Sequence, residues 1–196
     1  MIRTIGHGTR PVEELIALLR AHDMAQLADV RTIPRSRRNP QFGREALAAS
    51  LATAGIAYVL MPGLGGLRKA RPGSVNLGWR NAAFRGYADY METAEFARSL
   101  EALVELARRQ PTAIMCAETV PWRCHRSLIA DALAARGIAV LHIVTAGRAE
   151  PHELTPFAAL EEVEPVHTGE PEVEQDQVGA VLIEAVERAF RGEYQL

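Results

Sequence analysis

Eleven residues, CAETVPWRCHR at 116–126, hold both cysteines of the chain with a glutamate, a histidine and two arginines. A cysteine at a strand end, just ahead of a helix N-terminus, can have a depressed pKa and act as a nucleophile. Thiol phosphatases and sulfur transferases do this with a tight anion loop closed by a nearby arginine. Here Arg123 comes seven residues after Cys116, with Glu118 and Pro121 in between, so that pattern fails. A metal reading would use Cys116, Cys124 and His125, with His7 as a further ligand, but cysteines eight apart do not make a zinc knuckle. A redox pair would want the C-x-x-C spacing, which is absent. The expectation is therefore no metal and no cofactor. The plain alternative makes Cys116 a small buried hydrophobe and Cys124–His125–Arg126 a helix cap. Attention moves to Glu118, an acid just past a strand among basic groups, suited to act as nucleophile or general base. Catalytic candidates are Glu118, Cys124, His125 and Cys116. Arg126, in the first helical turn, would add its charge to the helix dipole to bind an anion.

Other groups gather after other strands. TIGHG places His7 after the first. DVRTIPRSRRNPQF places Asp29, Arg31, Arg35 and Arg37 after the second, a density of guanidinium suited to gripping phosphate or carboxylate. The bland reading of that loop is an Asp29–Arg31 ion pair in a solvated basic segment. GLGG at 63–66 could let backbone approach a ligand, but lacks the spacing of a dinucleotide fingerprint or a P-loop. Ligand-binding candidates are His7, Asp29, Arg31, Arg35, Arg37 and Arg126.

The elements that must position these groups are read from periodicity. IRTI, AQLADV, IAYVL, TAIMC and IAVLHIV are short apolar runs bounded by turn or charged residues, hence buried strands. Helical patterns lie between them. PVEELIALLRAH spaces Val12, Leu15, Ile16 and Leu19 on one face; REALAASLATAG and SLIADALAARG stop at Gly55 and Gly137; TAEFARSLEALVELARRQP begins near Thr93 and ends at Pro111. Strand alternating with helix implies a mostly parallel sheet of about five strands with helices on both faces, a Rossmann-like three-layer α/β fold. Ligands then belong at the carboxyl edge of the sheet, near a switch in strand order. Residues 61–86, rich in Gly, Pro and Arg, read as a long loop forming a lid or ligand wall. Residues 147–175 read as a Pro- and Glu-rich mobile linker. The organisation is an α/β domain over 1–149, an acidic linker over 150–175 and a C-terminal helix over 176–196, which could dock on the body or form a homodimer.

Charge sharpens the ligand class. Residues 1–149 carry 20 Arg and Lys against 12 Asp and Glu, while residues 150–196 carry 2 against 12. A basic body with an acidic tail suggests an anionic ligand, or a tail that folds over the body. No apolar run is long enough to cross a bilayer, the N-terminus lacks a signal-peptide core, and two cysteines do not staple a secreted scaffold. The expected location is cytoplasmic, with no membrane partner.

TIGHGT at 4–9, LADVRTIPRSRRNPQF at 27–42, YVLMPGLGG at 58–66, FRGYADYMETAEF at 84–96 and MCAETVPWRCHRSLIADAL at 115–133 together resemble the bacterial domain of unknown function 488 family. The resemblance spans roughly residues 2–160. It implies one compact α/β domain with these motifs at one site, and implies no activity. Its motifs fall on His7, Asp29, Arg31, Pro34, Ser36, Arg37, Cys116, Glu118, Pro121, Cys124, His125 and Arg126. Gly8 stands where many relatives carry a serine, which removes a hydroxyl from that loop. The function expected from the residues is a hydrolase-type enzyme for a phosphate-bearing ligand such as a nucleotide, modified nucleoside or nucleic-acid end. Two alternatives stand beside it: a non-catalytic nucleic-acid or anion-binding module using the arginine loop, and a metal-binding protein with Cys and His ligands.

Overall fold

A computed structural model describes residues 1–155. It is an α/β fold built on one six-stranded sheet. The strands are β1 (Ile2–Gly6), β2 (Gln26–Asp29), β3 (Ala57–Leu60), β4 (Thr112–Cys116), β5 (Val140–Thr145) and β6 (Arg148–Pro151), in the order β3-β2-β4-β1-β5-β6. All pairs are parallel except β5 with β6. The helices are α1 (Val12–Ala21), α2 (Arg44–Thr53), α3 (Ala82–Met91), α4 (Ala94–Arg109) and α5 (Arg126–Ala134). None of them is long and apolar enough to cross a membrane.

Period-two alternation along the strands divides the core into two layers. Ile5, Leu27, Ala113 and Met115 pack with Leu15 and Leu19 of α1 and Leu47 and Leu51 of α2. Ala28, Ile114 and Cys116 face the other way, against α3, α4 and α5. The helices supply matching stripes: α4 buries Phe96, Ala97, Leu100, Leu103 and Val104, the spacing of one helical face. Each fully buried leucine of this kind contributes about 1.5–3 kcal/mol through the area it removes from water. The Thr93 hydroxyl caps α4 by accepting from the Phe96 N–H at 3.3 Å. Gly55 and Gly137 stop their helices at φ +75° and +70°, as expected of left-handed stops.

Strand order fixes where a ligand can sit. From β1 the chain crosses by α1 to β2; from β4 it crosses by α5, on the opposite face, to β5. The two central strands thus send their connections to opposite faces and opposite edges. A crevice opens between their carboxyl ends, the usual ligand position in open α/β sheets.

Two elements differ from the sequence expectation. Residues 82–86, assigned to the long loop, begin α3, with the Asn81 carboxamide oxygen accepting from the Ala83 N–H at 2.8 Å. Residues 148–151, assigned to the start of the mobile segment, form β6. The chain continues on the body beyond it: His152 Nε2 donates to the Asp131 carboxylate at 2.8 Å, and the Thr155 N–H donates to the same oxygen at 2.9 Å. The rest of the expected linker and the C-terminal helix lie outside the described residues.

Candidate functional site

The crevice is a cavity of about 720 Å³. Four segments wall it: the turn after β1, the arginine loop after β2, the Gly66–Leu67 segment with the start of α3, and the loop between β4 and α5. The β4 loop is held against the β1 turn by backbone bonds from His7 N–H to the Cys116 carbonyl (3.0 Å) and from Gly8 N–H to the Ala117 carbonyl (2.9 Å). Gly8 adopts φ +55°, where a Cβ would lie 2.4 Å from Thr119 Oγ1. The Thr119 hydroxyl therefore stands beside the place a side chain at position 8 would take.

Cys116 ends β4 and Cys124 precedes α5, and the structure brings them together. After Cys116 the chain bulges outward, makes a 3-10 turn at Pro121–Arg123 and returns Cys124 towards the strand end. His125 Nδ1 lies 3.9 Å from Cys116 Sγ and 3.7 Å from Cys124 Sγ. Its Nε2 donates to the Val30 carbonyl at 3.0 Å, which leaves the Nδ1 lone pair facing the two sulfurs. A hydrogen bond from the Cys124 thiol, with the Arg126 charge nearby, lowers the Cys116 pKa despite burial. The same bond, with burial, pushes Cys124 up. The two shifts run in opposite directions, so of the pair it is Cys116 whose charged form the surroundings favour.

The wall beside this cluster is tied down carbonyl by carbonyl. Tyr90 and Tyr87 hydroxyls donate to Gly63 and Leu64 oxygens (2.6 and 2.8 Å), Arg68 Nε to Gly65 (3.1 Å) and Thr32 Oγ1 to Gly66 (2.6 Å). That anchoring presses Gly66 onto the histidine: a Cβ there would sit 2.9 Å from His125 Nδ1. The last glycine of the GLGG run therefore serves close packing against the His125 ring. Tyr87 also packs its ring 5.0 Å from that of His125.

His7 and Arg31 form the opposite wall. His7 Nδ1 donates to the Gly8 carbonyl at 2.8 Å, so Nε2 is free to accept from Arg31 at 3.4 Å. Burial lowers the His7 pKa, and its ring stacks on Phe42 at 4.1 Å. Asp29, fully buried, is saturated by two side-chain bonds from Arg31 (2.8 and 2.5 Å), one from the Arg31 N–H (3.1 Å) and one from the Tyr58 hydroxyl (2.7 Å). Burial works against the Arg31 charge, but Asp29 outweighs it and raises the pKa.

Of the residues singled out in the sequence, His7, Arg31, Arg35, Cys116, Glu118, Cys124 and His125 line the cavity. Three others do not. Asp29 lies behind Arg31 and positions it. Arg37 is exposed on the loop but is not in the lining. Arg126 is 1% exposed and donates to the carbonyls of Ile5 (3.0 Å), Glu118 (2.9 Å) and Thr119 (3.0 Å). It clamps the β4 loop to β1 through its two terminal nitrogens, and among the described residues its buried Nε has no partner. Sequence reasoning missed Tyr87 and Phe84, which wall the cavity from α3. Their spacing with Met91 is helical, and the Asn81 cap was the available signal.

The lining holds three arginines, Arg31, Arg35 and Arg123, against one acid, Glu118. Ile33, Leu67 and Phe84 add apolar surface near the mouth. The profile of the family described as Domain of unknown function DUF488 matches residues 11–133. No curated protein and no solved structure matches the chain.

Proposed function

The chain belongs to the DUF488 family, and we propose that it is an enzyme that hydrolyses a ligand carrying a phosphate-like anion, with its chemistry at Cys116, Cys124 and His125. One observation carries this reading. The two sulfurs and His125 Nδ1 converge within 4.8 Å of one another, beside a cavity whose lining has more cations than anions. The volume suits a small organic molecule rather than a polymer. Arg35 and Arg123 supply charge at the mouth, where no carboxylate of the described residues bonds them. Phe84 and Tyr87 offer aromatic surface for a flat ring such as a nucleobase. Glu118, the one carboxylate of the lining, is the group available for proton transfer.

The test is a screen of purified protein against nucleoside phosphates, sugar phosphates and short phosphodiesters, followed by Cys116→Ser and His125→Ala on any turnover found. Both variants should lose at least about a hundredfold in rate while keeping the unfolding midpoint within a few degrees. A hydrolytic activity that survives both substitutions would place the chemistry elsewhere.

Exposed Arg37 and Arg38 favour one alternative, nucleic-acid binding through the loop after β2. It separates cleanly, since such binding weakens steeply with salt and depends on several arginines together.

A further inference from the structure

We propose that Cys116, Cys124 and His125 form a binding site for one soft divalent cation, zinc in the first instance, whose fourth position opens into the cavity. The spacing of the three donors suits three corners of a tetrahedral site. With metal–sulfur bonds of about 2.3 Å and metal–nitrogen bonds of about 2.0 Å, sulfur and nitrogen lie roughly 3.6 Å apart around a shared ion. The observed separations from His125 Nδ1 are 3.7 and 3.9 Å, so an ion fits with displacements of a few tenths of an ångström. All three donor atoms lie within 4.8 Å of one another, against a sulfur–sulfur separation of about 3.8 Å around a shared tetrahedral ion, so the sulfurs need draw together by at most about 1 Å.

The surroundings are those of a ligand histidine. The Val30 carbonyl accepts from Nε2 at 3.0 Å, which fixes the ring and the tautomer and directs Nδ1 at the sulfurs. A backbone carbonyl in that role is the common outer partner of metal-bound imidazole. Gly66 pressed against the ring on one side, and Tyr87 on another, leave it little room to turn away. Two thiols and an imidazole exclude magnesium and calcium and favour zinc or a comparable ion. Three protein ligands at the edge of a cavity, rather than four in a closed cage, are the arrangement of a catalytic zinc.

The consequence for reaction rests on the hydrolase reading above. Zinc brings the pKa of a bound water to about 7. An ion held there would supply such a water to a phosphorus centre bound in the cavity, and Glu118, in the same lining, would be the carboxylate placed to take the water's proton and hand it to the departing oxygen.

Binding is tested without any substrate. Full-length protein, reduced and stripped by a chelator, is titrated with Zn²⁺ alone and with Co²⁺ alone. The expected result is one equivalent bound, with a thiolate-to-cobalt charge-transfer band and the intense visible bands of tetrahedral cobalt. Cys116→Ser and Cys124→Ser should each weaken binding at least about tenfold and reduce the charge-transfer band; His125→Gln should weaken it about 10–100-fold and leave that band's sulfur character. Circular dichroism on each variant separates a lost ligand from a lost fold. Failure to bind one equivalent, or binding unchanged in both serine variants, would overturn the site. So would a Cys116–Cys124 disulfide that forms readily in the presence of stoichiometric zinc. A protein that binds zinc but hydrolyses nothing sinks the functional reading and leaves the site standing. A hydrolase that keeps its rate after metal removal would end the catalytic role of the ion, while the titration alone decides the site.

Discussion

Acidification from about pH 7 to about pH 4.5 should remove about 2 kcal/mol of stability through a single side chain, His142. This histidine lies on β5, 9% exposed, on the face covered by α5. Its Nδ1 lies 2.7 Å from the Thr4 hydroxyl and its Nε2 3.0 Å from His152 Nδ1, while His152 Nε2 lies 2.8 Å from Asp131 Oδ1. One assignment satisfies the whole chain with neutral rings: Thr4 donates to His142, His142 to His152, and His152 to Asp131. A further proton on His142 must displace the Thr4 donor. Burial first, then the charges of His152 and Arg126, lower the His142 pKa to about 4. The unfolded chain takes up that proton near pH 6.5, so between about 6.5 and 4 it binds a proton the folded chain refuses. Stability is therefore complete above this window and falls as the pH drops through it. The full shift corresponds to roughly 3 kcal/mol, and about 2 kcal/mol is expressed by pH 4.5. The assay is urea denaturation across this range for the native chain and for His142→Gln. Other titrating groups, including His7, act in both chains and cancel in the difference. Parallel pH profiles for the two would refute the reasoning, because they would mean that His142 titrates alike folded and unfolded.

Two further substitutions probe the walls of the cavity. Asp29→Asn keeps the shape of the side chain but leaves the Arg31 charge buried without its partner, and should cost about 3–5 kcal/mol in denaturant unfolding. A loss below about 1 kcal/mol would mean that Arg31 swings out to solvent or to an anion when released. Leu67 holds φ +59° at the cavity rim while 78% exposed, so it carries backbone strain with little burial to offset it. Leu67→Gly should raise stability by about 1 kcal/mol, and a fall in stability would show that the leucine is held by packing.

The parts of the fold that periodicity predicted are those whose burial is one-sided or complete. β1, β2 and β4 read as apolar runs because they are buried along almost their whole length, and the half-buried β3 and β5 keep enough apolar residues to read the same way. β6 escaped because it is RAEP at an edge: short, charged and ended by proline, the composition that protects an edge from further pairing and also hides it from a pattern search. α3 escaped because Gly86 interrupts it just where the backbone of residues 68–70 crosses the helix closely. A glycine required by packing looks, in sequence, like a glycine of a loop.

The site shows a different limit. Looking after each strand found the cavity residues but ranked the cysteines low, because spacing rules assume that the chain between two ligands is a compact knuckle. Here an outward loop and a 3-10 turn bring residues eight apart side by side, and no local spacing encodes that return. Nor does composition say which arginine meets solvent. Arg126 is spent on three carbonyls and Arg31 on Asp29, whereas Arg35 and Arg123 stand at the mouth. Strand alternation did hold part of the answer. Ile114 is a core residue of the α5 side and Cys116 follows it by two, so the thiol must point towards the helix that His125 begins. Parity along β4 thus argues for a Cys116–His125 encounter on physical grounds, independently of any motif, because a residue two places from Ile114 must face the helix that His125 opens.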